Sequence, residues 1–470
     1  MYTKNKTEKE PFNKTPTCLD RMLQPESVFL VMALIAGLYM VFITGPFQAP
    51  DENTHFFRAY QISEGKIFSE RFEDQTGARL PEDLINAGKD FFSVPFHPET
   101  KISGHQIIQN LRDPFTSSQR TFLSFPNTAL YFPICYIPQA IGIGIGRLFD
   151  ISALGLMYFG RVFNLLCWCG LVFTAIRVTP VFKWIFVLVG LMPMAVFLAA
   201  SLSADSVING CSLLFIASVL HERFTDNHKM SFKLKWAIGV MAVFLAMMKQ
   251  VYAPLVGLLL IIPENRYGGW KKKILYCTAV AISSLLCLYL WGIEIKRIYV
   301  PLNGANMGEQ LSFILAAPQE YAKILMRTIW IHWPGWMGSL IGILGWLDTI
   351  LPEWIYLTYL PALAVTALLE RREKGDIFCP MEKTAALGFA CLSFLLIATA
   401  QYLSWNKPEA LIIEGIQGRY LIPLLVPILL TLQTRAAPNI DRRILGGAVS
   451  AYSLSVLFVT CVEIYIRYYG

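Results

Sequence analysis

Three residues able to do acid–base chemistry stand together in the stretch GPFQAPDENTHFFRAYQISEG, Gly45–Gly65: Asp51, Glu52 and His55. Pro50 suits the start of a helix, and acids are favoured in a first turn. On such a helix Asp51 and His55 are four residues apart and Glu52 and His55 three, so the side chains can meet. A carboxylate within hydrogen-bond reach of a hydroxyl can serve as a general base. Two carboxylates and an imidazole are also part of a ligand set for Mg²⁺ or Mn²⁺, though no cofactor is required by the sequence. The plainer alternative is a charged helix start at an interface.

Four further positions carry chemistry in apolar surroundings. Lys249, in AMMKQVYAP, lies between two apolar stretches, where an ionisable side chain is functional by default. Asp205, in LAASLSADSVING, stands at the head of another apolar run; the structural role for such an acid is a helix cap. Arg419 opens the run in EGIQGRYLIPLLVPILL. A guanidinium grips phosphate bidentately and never loses its charge; its bland role is snorkelling. Gly418 beside it would let a ligand approach closely. His332 sits with Trp333 and Trp336 in IHWPGWMGSLIGILGW, whose tryptophans an interfacial aromatic belt explains. Gly142 and Gly146 in IGIGIGR read as small-residue helix packing, not as a dinucleotide loop.

The elements that must position these residues are membrane helices. The chain has 470 residues, 55% hydrophobic and 16% charged, against about 25% charged in soluble domains. Apolar runs long enough to cross a bilayer recur along it. The fold expected is therefore an all-α polytopic membrane protein with about eleven (range 9–13) transmembrane helices. The ten cysteines mostly fall inside apolar runs, which argues against a disulfide framework or a zinc site. No basic patch interleaved with aromatics suggests nucleic acid.

Lys and Arg in short loops set the orientation. They cluster in 1–26, 221–236, 264–273, 370–383 and 435–443, which places these segments in the cytoplasm, the N-terminus inside and the C-terminus outside. The organisation expected is a cytoplasmic tail 1–26, a first transmembrane helix 27–45 retained as a signal anchor, and an external loop 46–126 with interfacial helices. Transmembrane helices follow over 127–300, then an external loop 301–352 and C-terminal transmembrane helices over 353–470. Two places resist a simple count. Of the candidates 127–146, 152–176, 180–200 and 205–220, one must fail to span, because an odd number of crossings is needed. The stretch 237–262 lies between two cytoplasmic loops and reads as a hairpin of two arms of about 12 residues, ~18 Å each, turning near Lys249 and Gln250.

The motifs APDENTHFFRAYQISEG, SLSAD, KQVYAP, GSLIGILGWLD and QGRYLIPL together resemble a bacterial multi-pass family, domain-of-unknown-function family 2142, over most of residues 27–434. That family in turn is similar to the GT-C class of membrane glycosyltransferases. The resemblance implies a sugar transferase of the cytoplasmic (inner) membrane. It would move a sugar from a polyprenyl-phosphate donor to a glycan or lipid acceptor on the external face, with inversion. Asp51, with Glu52 as neighbour, matches the acidic catalytic position, and Arg419 a late arginine near the lipid phosphate. Lys249, His55, Asp205, His332, Tyr252 and Tyr420 are the other expected substrate-binding residues. The alternative is a lipid-linked glycan transporter or flippase, or a polysaccharide-export accessory protein without catalysis. A transporter should show two matching halves, and one hairpin has no counterpart.

Overall fold

The computed structural model describes residues 23–115, 119–225, 229–370, 377–434, 438 and 440–470. The tail cations Lys4, Lys6, Lys9, Lys14 and Arg21 lie outside the described residues, as do Arg371, Arg372, Lys374 and Arg435. Among the described residues six helices are long and apolar enough to cross a membrane: Pro25–Ile43, Ala153–Val178, Ala204–Phe224, Trp270–Ile298, Pro380–Trp405 and Arg442–Tyr468. Three shorter apolar helices accompany them, Gln250–Ile261, Glu353–Leu369 and Gly418–Leu432. The described residues of 46–126 cover one end of this bundle, its upper face. At the lower face Glu26 pairs with Lys183 at 3.6 Å. At the upper face Arg467 pairs with Asp348 at 2.7 Å, and the Tyr468 carbonyl accepts from the Ile102 amide at 2.8 Å. Pro25 and Tyr468 therefore stand at opposite faces.

The ambiguous stretch before residue 221 resolves by length. The Ile137–Arg147 helix has 11 residues, ~16 Å at 1.5 Å per residue, and Arg147 at its end is bound to the Ser63 carbonyl of the cap at 3.1 Å. It cannot reach the lower face. Ala153–Val178 descends the full height: Arg161 near its top binds the carbonyls of Val41, Thr44 and Gly45, and the Val178 carbonyl at its foot meets His221 at 3.2 Å. The return is made by two pieces, Lys183–Gly190 and Pro193–Ala199. Pro193 lacks an N–H and breaks them apart. Carbonyls left free in the turn after Ala199 are taken by the Asn164 amide, which donates to Ser201 at 2.7 Å and Ser203 at 3.2 Å. Ala204–Phe224, capped by the Ser203 hydroxyl, descends again.

The hairpin differs in its arms. The first is a 17-residue α-helix, Phe232–Met248, and the second a 12-residue 3₁₀ helix, Gln250–Ile261. At ~1.5 and ~2.0 Å per residue these reach ~26 and ~24 Å. Lys249 between them is extended, φ −152° and ψ 108°, and lies on the upper side, beside Asp205 at the head of Ala204–Phe224.

The cap over the upper face is not purely helical. Besides the helices Glu52–Ser63, Asp83–Lys89 and Gly104–Arg112, it holds an antiparallel sheet of β1 (Glu70–Phe72), β2 (Gln75–Pro81) and β3 (Arg120–Ser124) in that order. Gly77 pairs with both Glu70 and Ser124. The charged residues of this region had suggested helices only. What the helical reading missed is that Arg120 is needed by Glu64, which it grips at 2.9 and 2.5 Å, and Thr76 by the Ile298 carbonyl. The first contact ties the sheet to the end of the Glu52–Ser63 helix and the second ties it to the bundle. The segment 301–352 is likewise mostly helical, Met307–Ala316 and Pro318–Ile341.

Candidate functional site

Asp51 caps the Glu52–Ser63 helix from a left-handed backbone, φ 59° and ψ 15°, a conformation aspartate tolerates better than most residues. The turn sends the neighbouring carboxylates in different directions. Asp51 stays partly open, 38% exposed, with its Oδ2 3.7 Å from Arg419. Glu52 is fully buried against Arg161, at 2.8 Å from Nε and 2.6 Å from Nη2. It also accepts from the Leu202 amide at 3.1 Å.

Around Asp51 the chain assembles a charged cluster from distant segments. Lys249 Nζ lies 2.9 Å from Asp205 Oδ1, and Arg419 Nε lies 3.4 Å from Asp205 Oδ2. Asp205 thus bridges both cations, and Asp51 flanks the arginine. Tyrosines line the cluster. Lys249 Nζ stands 3.8 Å over the Tyr420 ring and near the rings of Tyr131 and Tyr252, at 5.8 and 5.9 Å. The Tyr252 hydroxyl donates to the Tyr420 carbonyl at 2.8 Å, which pins the 3₁₀ arm to the Arg419 turn. Arg419 is buried, yet its Nε and Nη1 have no hydrogen-bond partner among the described residues. Unmade bonds at a buried guanidinium are costly, and an anion with several acceptor oxygens would satisfy them.

His55 belongs to the rim of this cluster. Its Nδ1 lies 2.8 Å from the Tyr136 hydroxyl. Burial pushes the imidazole down to about 4, against the upward pull of Asp51, so His55 is neutral at physiological pH and acts as a hydrogen-bonding group. His332 sits apart, stacked on Trp336 with ring centroids 6.1 Å apart and 3.7 Å from Glu414. It shares the Pro318–Ile341 helix against which the Arg419 turn is packed.

Three expected placements are corrected. Glu52 does not face the cluster: it is paired with Arg161, and the carboxylate that lies between Lys249 and Arg419 is Asp205. For the same reason Asp51, Glu52 and His55 form no metal cage, and no group of three or more His, Cys, Asp or Glu that could hold an ion occurs among the described residues. Gly418 serves another end than ligand approach. Its amide donates to Ser339 Oγ at 2.9 Å, and a Cβ there would lie 2.0 Å from the Trp336 carbonyl oxygen. Gly418→Ala is expected to destabilise the protein by ~1–3 kcal/mol, the usual cost of overpacking, and to displace Arg419; thermal unfolding in detergent reads it.

Arg161, Tyr131 and Tyr136 were missed by the sequence reading. Arg161 had a signal: a cation inside the apolar run LMYFGRVFNLL needs a buried partner. The tyrosines had none beyond aromaticity.

No curated protein and no solved structure matches the chain. Residues 34–428 match the family described as "Predicted membrane protein (DUF2142)". The matched interval contains Asp51, Asp205, Lys249 and Arg419, the whole charged cluster, together with its tyrosines. Spanning most of the chain, this match makes the protein a member of the DUF2142 family of multi-pass membrane proteins.

Proposed function

We propose that the protein is a membrane glycosyltransferase of GT-C type that moves a sugar from a polyprenyl phosphate to a glycan or lipid acceptor. The observation that carries this reading is the pairing of a half-open carboxylate, Asp51, with the buried, incompletely bonded guanidinium of Arg419. The acceptor hydroxyl oxygen attacks the anomeric carbon, and its proton passes to Asp51. The bond from the anomeric carbon to the phosphate oxygen breaks on the opposite side, with inversion, and the electron pair leaves on the phosphate. The phosphate gains one negative charge as Asp51 loses one. Arg419 is then free to shift its attraction from Asp51 to the leaving group, with Lys249 held beside it by Asp205. Preorganised cations of this kind are the main source of stabilisation for developing oxyanions.

The arrangement of the bundle supports an external site. Counting broken and short helices as crossings gives eleven: 25–43, 153–178, 183–199, 204–224, 232–248, 250–261, 270–298, 353–369, 380–405, 418–432 and 442–468. Lys229, Lys233, Lys235, Lys271, Lys272 and Lys273 gather at the lower face, which by the distribution of basic residues is the cytoplasmic one. The protein then lies in the cytoplasmic membrane, with the cluster under its external cap and the C-terminal helix ending outside.

Polyprenyl phosphate itself, the leaving group, is the direct probe, since it needs no knowledge of the sugar. Arg419→Ala is expected to weaken its binding by ~2–5 kcal/mol, as when one partner of a buried charge pair is removed. Equal binding to wild type and Arg419→Ala in a detergent titration would sink the assignment of the phosphate site.

A further inference from the structure

A cavity of about 240 Å³ opens at the start of the Glu52–Ser63 helix, lined by Phe47, Asn53, Phe92, Pro95, Phe96 and Trp346. Four of its six walls are aromatic rings and a fifth is a proline. Phe92 and Phe96 are 48% and 65% exposed, and the Phe96 and Trp346 rings stand 5.9 Å apart at 60°. The single amide among them, Asn53, is two residues beyond Asp51.

These walls are held in place rather than loosely gathered. Phe47 and Phe96 have φ of 61° and 64°, and Leu347, next to Trp346, has φ 64°. Positive φ in bulky residues is strained, and strain of this kind collects at ligand clamps. It persists because the strained segments are pinned. The Trp346 indole N–H donates to the Phe47 carbonyl at 3.1 Å. The Phe96 amide donates to Asp348 at 3.1 Å, and Asp348 is fixed by Arg467 at 2.7 Å. The Gln48 amide donates to the Phe91 carbonyl at 3.1 Å. Opposite ends of the fold, the first cap turn and the C-terminal helix, thus converge to orient one set of rings.

We propose that this cavity is a saccharide-binding shelf that holds the acceptor sugar; the inference rests on the reading of Asp51 as the base. The chemistry of the walls selects the occupant. An acyl chain needs only apolar surface and gains nothing from flat faces or from an amide. A pyranose has an apolar C–H face and a hydroxyl-bearing edge. The negative face of an aromatic ring attracts such C–H groups, and a few placed polar groups fix orientation in a mostly apolar site. A ring stacked on Phe96 and Trp346 meets the Asn53 amide with its hydroxyl edge, two residues along the chain from Asp51. The shelf is thereby a specificity device: it requires a sugar at the attacking end, so the acceptor is a glycan or a glycolipid headgroup and not a bare lipid alcohol.

The test uses the full-length protein in nanodiscs and the methyl glycosides of glucose, galactose, mannose and N-acetylglucosamine, followed by saturation-transfer NMR. At least one glycoside is expected to receive saturation at its ring C–H protons. Phe96→Ala and Asn53→Ala should each weaken that binding by about fivefold, the scale of one lost aromatic or polar contact. Asn53→Ala removes no buried packing, so it remains informative should Phe96→Ala fold poorly. Trp330→Ala, which removes an exposed ring outside the cavity, should bind the same glycoside as well as wild type. If no glycoside shows transfer that depends on Phe96 and Asn53, or if saturation reaches only the lipid acyl protons, the shelf is an aromatic anchor in the interface and the proposal is overturned. Glycoside binding lost in the shelf variants, together with full turnover in Asp51→Asn, would uphold the shelf and remove only the base.

Discussion

Asp51→Asn is expected to bind polyprenyl phosphate as tightly as wild type and to form product ~10²–10⁴-fold more slowly, the usual loss when acid–base help is removed. The substitution keeps the shape of the side chain and removes the proton acceptor. Binding survives because the phosphate is gripped by Arg419 and Lys249, which Asp205 holds in place at 3.4 and 2.9 Å without help from Asp51. A small gain in affinity is consistent too, since a carboxylate 3.7 Å from Arg419 no longer competes for it. The measurement is a membrane assay of product from a defined polyprenyl-phosphate sugar, paired with a binding titration. Wild-type turnover in Asp51→Asn would mean that the turn at PDENTH only starts a helix. Loss of binding and turnover together would instead make Asp51 part of the structure of the cation site.

The membrane architecture was legible because hydrocarbon imposes a length and a composition on each span. The charged cluster was legible for a related reason. Lys249, Asp205 and Arg419 each sit at an end of an apolar run, where a charge is expensive enough to need a partner. What the sequence leaves open is which partner each takes. Asp51 and Glu52 are adjacent and chemically alike, and only the left-handed φ of Asp51 turns one toward Arg419 and the other toward Arg161. No propensity announces that turn. The arms of the hairpin were underestimated for two reasons: the first begins at Phe232, within the basic stretch read as a loop, and the second is a 3₁₀ helix, which gains more height per residue than an α-helix. The sheet in the cap was illegible because β1 is three residues long and β2, which it pairs with, finds its other partner in β3 some forty residues further on. The aromatic shelf was unreadable for the same reason: Phe47, Phe96 and Trp346 are joined only by contacts across the fold.

Glu52→Gln and Arg161→Met separate structure from catalysis most sharply. The Glu52–Arg161 pair is wholly buried, 0% exposed on both sides. All five guanidinium N–H groups are taken: Nε and one Nη2 hydrogen by Glu52, and the rest by the carbonyls of Val41, Thr44 and Gly45. The carboxylate in turn receives Arg161 and the amides of Leu202 and Ala49, the last at 3.4 Å. A group so completely bonded has no free lone pair directed at a substrate, and it fastens the top of the first span to the Ala153–Val178 helix and to the loop before Asp205. Removing either partner strands a charge in a medium that cannot solvate it, which costs ~3–5 kcal/mol. Arg161→Met is therefore expected to unfold at markedly lower temperature or denaturant in detergent. Glu52→Gln should lose stability as well, but its residual folded fraction should turn over product normally. Glu52→Gln with Arg161→Met should recover part of the loss, because neither charge is then left alone; a double-mutant cycle measures that coupling. A Glu52→Gln protein as stable as wild type and catalytically dead would reverse the assignment, making Glu52 the base and Asp51 its neighbour.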